Sequence, residues 1–111
     1  MGKNSAVKTL GKRIGNVVLH NLLVKHTNKP ESIPHLQSEE DEYRNSAIRE
    51  SKEYHWNEKD KIELKAQALS FIKSKKEQRY QDVNFSMEET IKLVEEEIKS
   101  LFGVLCPKFQ K

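Results

Sequence analysis

The sequence predicts an all-α protein: a basic amphipathic N-terminal helix, a proline-containing connector and then a small three-helix unit. Three observations predict it. Apolar residues recur at three- and four-residue intervals in several stretches, residues that start helices stand in front of them, and no run alternates with the period of two that a strand needs.

The first helix is expected over about residues 5–26. At 100° per residue Val7, Leu10, Ile14, Val17, Val18 and Leu22 share a broad face with Gly11, while Lys8, Lys12, Arg13, Asn16 and His20 lie on the other side. Leu19 and Leu23 fall among the polar positions, so the face is not clean. Gly11 and Gly15 each cost about 1 kcal/mol of helix propensity against Ala. Their four-residue spacing would let another backbone come close, as in lipid-embedded helices.

Residues 27–37, TNKPESIPHLQ, read as an extended connector, because Pro30 and Pro34 disfavour helix at the residues before them. This is the boundary expected between an arm or retained targeting helix (1–30) and a small helical domain (38–103), with a C-terminal tail over 104–111. A second helix is expected over about 39–56, opened by Ser38 and Asp41 as a capping box ahead of an acidic first turn. Its stripe is only Tyr43, Ala47 and Tyr54, with Glu50 in the same row, a face that forms a helix only through tertiary contact.

A third helix is expected over about 58–79, with Asn57 as N-cap and Asp60 near the first turn. It carries apolar residues on two sides: Ile62, Ala66 and Leu69 against Leu64, Ala68 and Phe71, with Ile72 between them. A helix of that kind is central to a bundle or held between its own domain and a partner. The fourth is the clearest. Ser86 and Glu89 form an S-x-x-E capping box, and Met87, Ile91, Val94, Ile98 and Leu101 follow at helical spacing. Glu88 with Lys92 and Glu95 with Lys99 pair across single turns. Gly103 suits a left-handed cap with Val104 folding back, and Pro107 stops any continuation.

At 111 residues, 35% apolar and 33% charged, the chain has a thin core for its size and is expected to borrow burial from a partner. Its net charge of +3 hides a division. Residues 1–30 carry six basic and no acidic side chains, whereas residues 31–111 carry 14 basic and 17 acidic ones. Such asymmetry points to an electrostatic partner or a targeting role. Cys106 is alone, which excludes an internal disulfide. No apolar run reaches the roughly 18–20 residues of a membrane span. MGKNSA misses the myristoylation pattern at Ala6.

Catalytic chemistry finds no constellation. There is no phosphate-cradling glycine loop, no nucleophile elbow and no H-x-x-x-H, so catalytic residues, metal and cofactor are all expected to be none. The four histidines read as surface groups in connectors and on helix faces. Trp56 reads as packing in the turn between the second and third helices.

What remains are two basic clusters. Lys3, Lys8, Lys12, Arg13 and Lys25 lie in the leader; Lys73, Lys75, Lys76 and Arg79 lie with Tyr80 at the end of the third helix. The second cluster also suits the negative end of a helix dipole, but two basic patches in one small chain point to a polyanion, with Tyr80 placed for base stacking. The composition, small, Lys/Glu-rich and helical with a basic leader, is similar to that of accessory subunits of ribosomes and other large assemblies. The expected function is therefore a non-catalytic accessory or assembly subunit of a larger complex, a ribonucleoprotein such as a mitochondrial ribosome, binding RNA or an acidic surface through its basic N-terminal helix, partnered by other subunits and taking no small-molecule substrate.

The leader also meets the description of a mitochondrial transit segment, basic, amphipathic and acid-free, which makes a mitochondrial location the expectation over a nuclear or cytoplasmic one. A membrane-surface role is disfavoured by the lack of Trp or Phe on its apolar face. The alternative is a protein–protein adaptor, docking partner helices through Leu64, Phe71 and the stripe Met87, Ile91, Val94, Ile98 and Leu101.

Overall fold

The computed structural model describes residues 3–27, 29–81, 83 and 85–103, without the side chains of residues 3 and 4. Four helices, α1 (Lys3–His26), α2 (Ile33–Ser51), α3 (Glu58–Arg79) and α4 (Met87–Gly103), make an all-α protein with no strand among the described residues.

They run up-down-up-down. Arg13 meets Glu50 while His20 meets Glu39, so α2 returns along α1. Gly11 faces Leu64 and Gln67 and Gly15 faces Ala68 and Phe71, so α3 runs parallel to α1. His26 pairs with Glu89 near the start of α4, and Phe102 at its end lies by Trp56 and under Lys61, so α4 descends. The bundle is 39 Å long, close to the roughly 36 Å that 24 helical residues span.

The central element is α1, and residues 1–30 contribute it. Val7, Leu10, Ile14, Val17, Val18, Leu19, Leu22 and Leu23 are all buried. Leu19 and Leu23, the misfits of the amphipathic reading, are covered because α1 packs along its length against both α2 and α3 and more lightly against α4. A helix with neighbours on several sides needs an apolar face wider than a single stripe. On α3, whose two-sided pattern marks a helix either central to a bundle or held between its own domain and a partner, only Leu64, Ala68 and Ile72 are buried, and Ile62 and Ala66 face out.

Gly11 and Gly15 set how near α3 approaches. A Cβ at Gly11 would stand 2.5 Å from the Gln67 Cβ, and one at Gly15 would stand 2.8 Å from the Phe71 ring and 3.1 Å from the Ala68 carbonyl oxygen. With α1 and α3 this close, α2 and α3 make almost no direct contact.

The connector differs from the expectation. Pro30–Ser32 forms a single 3-10 turn that leads directly into α2 at Ile33. Ile33 takes helical angles although Pro34 follows it. Pro34 sits in the first turn, where its missing N–H costs nothing. Ser38 is therefore inside α2 rather than at its cap, and α2 ends at Ser51, before Tyr54.

The cap at Asn57 is as read: Asp60 N–H donates to Asn57 Oδ1 at 2.8 Å, and Asn57 N–H donates back to Asp60 Oδ2 at 3.1 Å. At α4 only half of the box forms. Glu89 N–H donates to Ser86 Oγ at 3.0 Å, but the Glu89 carboxylate turns to His26 and Lys25 of α1. Gly103 is the last helical residue, and no left-handed glycine occurs among the described residues. The readings of Val104, Cys106, Pro107 and the 104–111 tail lie outside them.

A charged tie closes the side away from α3. Arg44 donates from Nε and Nη2 to both oxygens of Glu97 and also from Nη2 to Glu40, at 3.0–3.1 Å. Buried Glu40 accepts in turn from Asn21 Nδ2 at 3.4 Å, so α1, α2 and α4 are joined. The hydrogen bond to Glu97 is the main reason the Arg44 guanidinium is held above its ordinary pKa. Trp56 lies half-buried in the turn between α2 and α3, its Nε1–H donating to the Ser51 carbonyl at 2.8 Å.

Two expected outcomes test this packing. Gly15→Ala gains about 1 kcal/mol of helix propensity but meets a backbone carbonyl and a ring, and overpacking of this kind costs roughly 1–3 kcal/mol. Urea denaturation should therefore show a net loss of stability. A fragment of residues 33–103 loses every α1 side chain, each worth roughly 1.5–3 kcal/mol when buried, and its circular dichroism should show no cooperative melt.

Candidate functional site

Because α2 and α3 stand apart, the face of α1 between them is open, and a cleft of about 560 Å³ lies there. Asn16, Leu19 and His20 of α1 form its floor with Phe71. Glu39 and Tyr43 line it from α2, and Lys75, Arg79 and Tyr80 from α3. Four-residue spacing puts Asn16 and His20 on one strip of α1, and Lys12 continues that strip one turn earlier.

His20 is 7% exposed and fully engaged. Its Nδ1 lies 2.8 Å from the Asn16 carbonyl oxygen and its Nε2 lies 2.9 Å from Glu39 Oε1. Its ring leans on Tyr43, with centroids 5.3 Å apart. Glu39 also meets His35 at 3.1 Å, so two imidazoles share one carboxylate. Lys75 extends over the Phe71 ring, 5.5 Å from its centroid. The side chains of Asn16, Tyr43, Lys75, Arg79 and Tyr80 have no hydrogen-bond or ion-pair partner among the described residues. Several convergent polar groups without internal partners, set among aromatic rings, are what a ligand site needs.

The basic residues expected from sequence are redistributed. In the leader, Arg13 is held by Glu50 at 3.0 Å and Lys25 by Glu89 at 3.6 Å. Lys8 and Lys12 are exposed and unpaired among the described residues, and the Lys3 side chain lies outside them. The cluster at the end of α3 divides. Lys75 and Arg79 enter the cleft, whereas Lys73 and Lys76 line a second hollow, of about 400 Å³, with Ile72, Phe85 and Met87 between α3 and α4. None of the four has a carboxylate partner among the described residues.

The expected docking stripe is largely absorbed. Leu64, Val94, Ile98 and Leu101 are buried in the chain's own core, Phe71 and Ile91 are half-buried, and only Met87, at 49%, is exposed. Outside the stripe, Ile48, Tyr54 and Ile62 are also exposed, Ile62 most of all at 69%.

Asn16, His20, Glu39 and Tyr43 were not among the expected site residues. The reading of His20 as a surface histidine is corrected by its burial under α2. A signal was present: polar residues at 12, 16 and 20 form one strip of α1, and its Asn16 and His20 line the gap between α2 and α3. Asn16 and Lys25 are nine residues, two and a half turns, apart and so point to opposite sides of α1. Lys25 faces Glu89, which puts α4 and its glutamates behind the cleft.

Among the described residues, no group of three or more His, Cys, Asp or Glu side chains could hold a metal ion, and no helix is long and apolar enough to cross a membrane. Comparisons with protein-family models, with curated proteins and with solved structures return no match for this chain. If the cleft's polar side chains serve binding rather than folding, their removal should leave stability nearly unchanged. Asn16→Ala, Tyr43→Phe, Lys75→Gln and Arg79→Gln are each expected to shift it by no more than about 0.5 kcal/mol in thermal melts.

Proposed function

We propose that this chain is a non-catalytic helical subunit or assembly factor of a ribonucleoprotein, such as a mitochondrial ribosome, and that it grips RNA with the C-terminal end of α3 and the cleft beside it. The observation that carries the reading is the state of the charges. Arg13, Lys25, Arg44, Lys61 and Lys65 meet carboxylates within the chain, whereas Lys73, Lys75, Lys76 and Arg79 meet none among the described residues. Other cations without a carboxylate, among them Lys52, Lys59, Lys92 and Lys99, are spread over the remaining elements, but four within seven residues at the end of one helix give a polyanion a concentrated point of approach.

The gripping surface is thereby moved from the leader to α3, with Lys8 and Lys12 of α1 as additional contacts. A mitochondrial location rests on the acid-free leader, which in this fold would remain as α1 after import. The adaptor reading retains Ile62 and Met87 as exposed apolar anchors, and it predicts a partner that survives nuclease.

The test is a salt series of RNA binding by the full chain. Log affinity should fall linearly with log salt, and replacing Lys73, Lys75, Lys76 and Arg79 together by Gln should flatten the slope by about 0.7 for each single-strand phosphate no longer neutralised. Affinity indifferent to salt and to these four changes would sink the reading.

A further inference from the structure

We propose that the cleft between α2 and α3 is a pocket for one unstacked nucleotide of single-stranded RNA, its base against the Tyr43, Tyr80 and Phe71 lining and its phosphate at Lys75 and Arg79. The proposal rests on the RNA reading above and specifies which form of RNA is taken and what enters.

Charge placement selects the ligand. The cleft is electrically two-sided: Glu39 lies on the α2 wall, and Lys75 and Arg79 lie on the α3 wall. A ligand anionic throughout, such as inorganic phosphate, would meet the carboxylate as well as the cations. A nucleotide is anionic at one end only. Its base carries N–H donors that Glu39 and the Asn16 amide oxygen can accept, and ring acceptors that the Asn16 NH₂ and the tyrosine hydroxyls can meet. Asn16, Tyr43 and Tyr80 are open for the purpose, with no side-chain hydrogen bond among the described residues, while Glu39 already meets His20 and His35.

Shape gives the same answer. About 560 Å³ lies within the roughly 300–1,000 Å³ of small-ligand clefts, and Tyr43, Tyr80 and Phe71 bring three aromatic rings to a lining that is otherwise mainly polar. Aromatic side chains beside a cationic rim are the recurring means of holding bases of a single strand. In a duplex the bases are stacked inside and only phosphates and 2′-hydroxyls are presented, so a duplex can use the cations but not the cleft.

The experiment titrates the full chain with a mixed-sequence oligoribonucleotide, single-stranded and as a duplex of equal length. Wild type is expected to favour the single strand, and a nucleoside monophosphate should displace it where inorganic phosphate at the same concentration does not. Asn16→Leu fills the floor and should weaken single-strand binding roughly tenfold or more, the size of a lost base stack, while duplex binding is unchanged. Tyr80→Leu should do the same and serves if the first variant does not fold. Lys75→Gln with Arg79→Gln should weaken both forms. Equal wild-type affinity for the two forms, or a folded Asn16→Leu or Tyr80→Leu that keeps wild-type single-strand affinity, overturns the nucleotide pocket while leaving the RNA reading standing. Binding of neither form removes the RNA reading itself, and this proposal with it.

Discussion

The close approach of α1 and α3 across Gly11 and Gly15 is the constraint from which the rest of the arrangement follows. Two parallel helices are not joined by a short turn, so in an up-down-up-down chain the first and third are ordinarily diagonal partners. Here the missing Cβ atoms let the diagonal pair touch, with Gln67 and Phe71 in the vacated space. The bundle is flattened along that diagonal. The second helix stays on α1 but stands off from α3, and the gap between them becomes the cleft.

A helix packed on three sides must be apolar on three sides, and α1 is. That explains how a chain with only 35% apolar residues builds a core: it concentrates them. Eight apolar side chains of α1 are buried, while α2 offers just Ala47. The flanking helices are attached through polar ties, Arg44 with Glu40 and Glu97, His20 with Glu39, and Glu89 with Lys25 and His26. Most of these lie at the surface or half-buried, where each contributes modestly. They serve chiefly to set register, because a shift of one residue would separate all of them at once.

The same economy leaves a residue of charge. Acidic side chains collect on α4 and early α2, and they claim nearby cations of α1 and α3. Along the last two turns of α3 the cations remain unpaired among the described residues, although Glu39 lines the same cleft as Lys75 and Arg79, and Glu77 the same hollow as Lys73 and Lys76. They are compatible with the helix dipole at that end, so the fold tolerates them without requiring them. A feature tolerated by the fold and placed beside an open polar cleft is a reasonable seat for function.

By itself the sequence determined the fold class, the spans of α1, α3 and α4 and the Asn57 cap, because each is a local property written in spacing and residue type; the spacing of Gly11 and Gly15 offered a close approach but not which helix would make it. It also named Lys75, Arg79 and Tyr80, since unusual composition is visible without a fold. The connector was misjudged because a proline before a helix and a proline inside its first turn look alike in sequence. What only the tertiary structure decided is which amphipathic helix is central, which apolar stripe is consumed by the core, and which polar residues of three separate helices share one cleft. Asn16, His20, Glu39 and Tyr43 belong together only because α1 and α3 touch and α2 is held off. That outcome depends on the volume of side chains meeting across helices, a quantity that no single stretch of sequence contains.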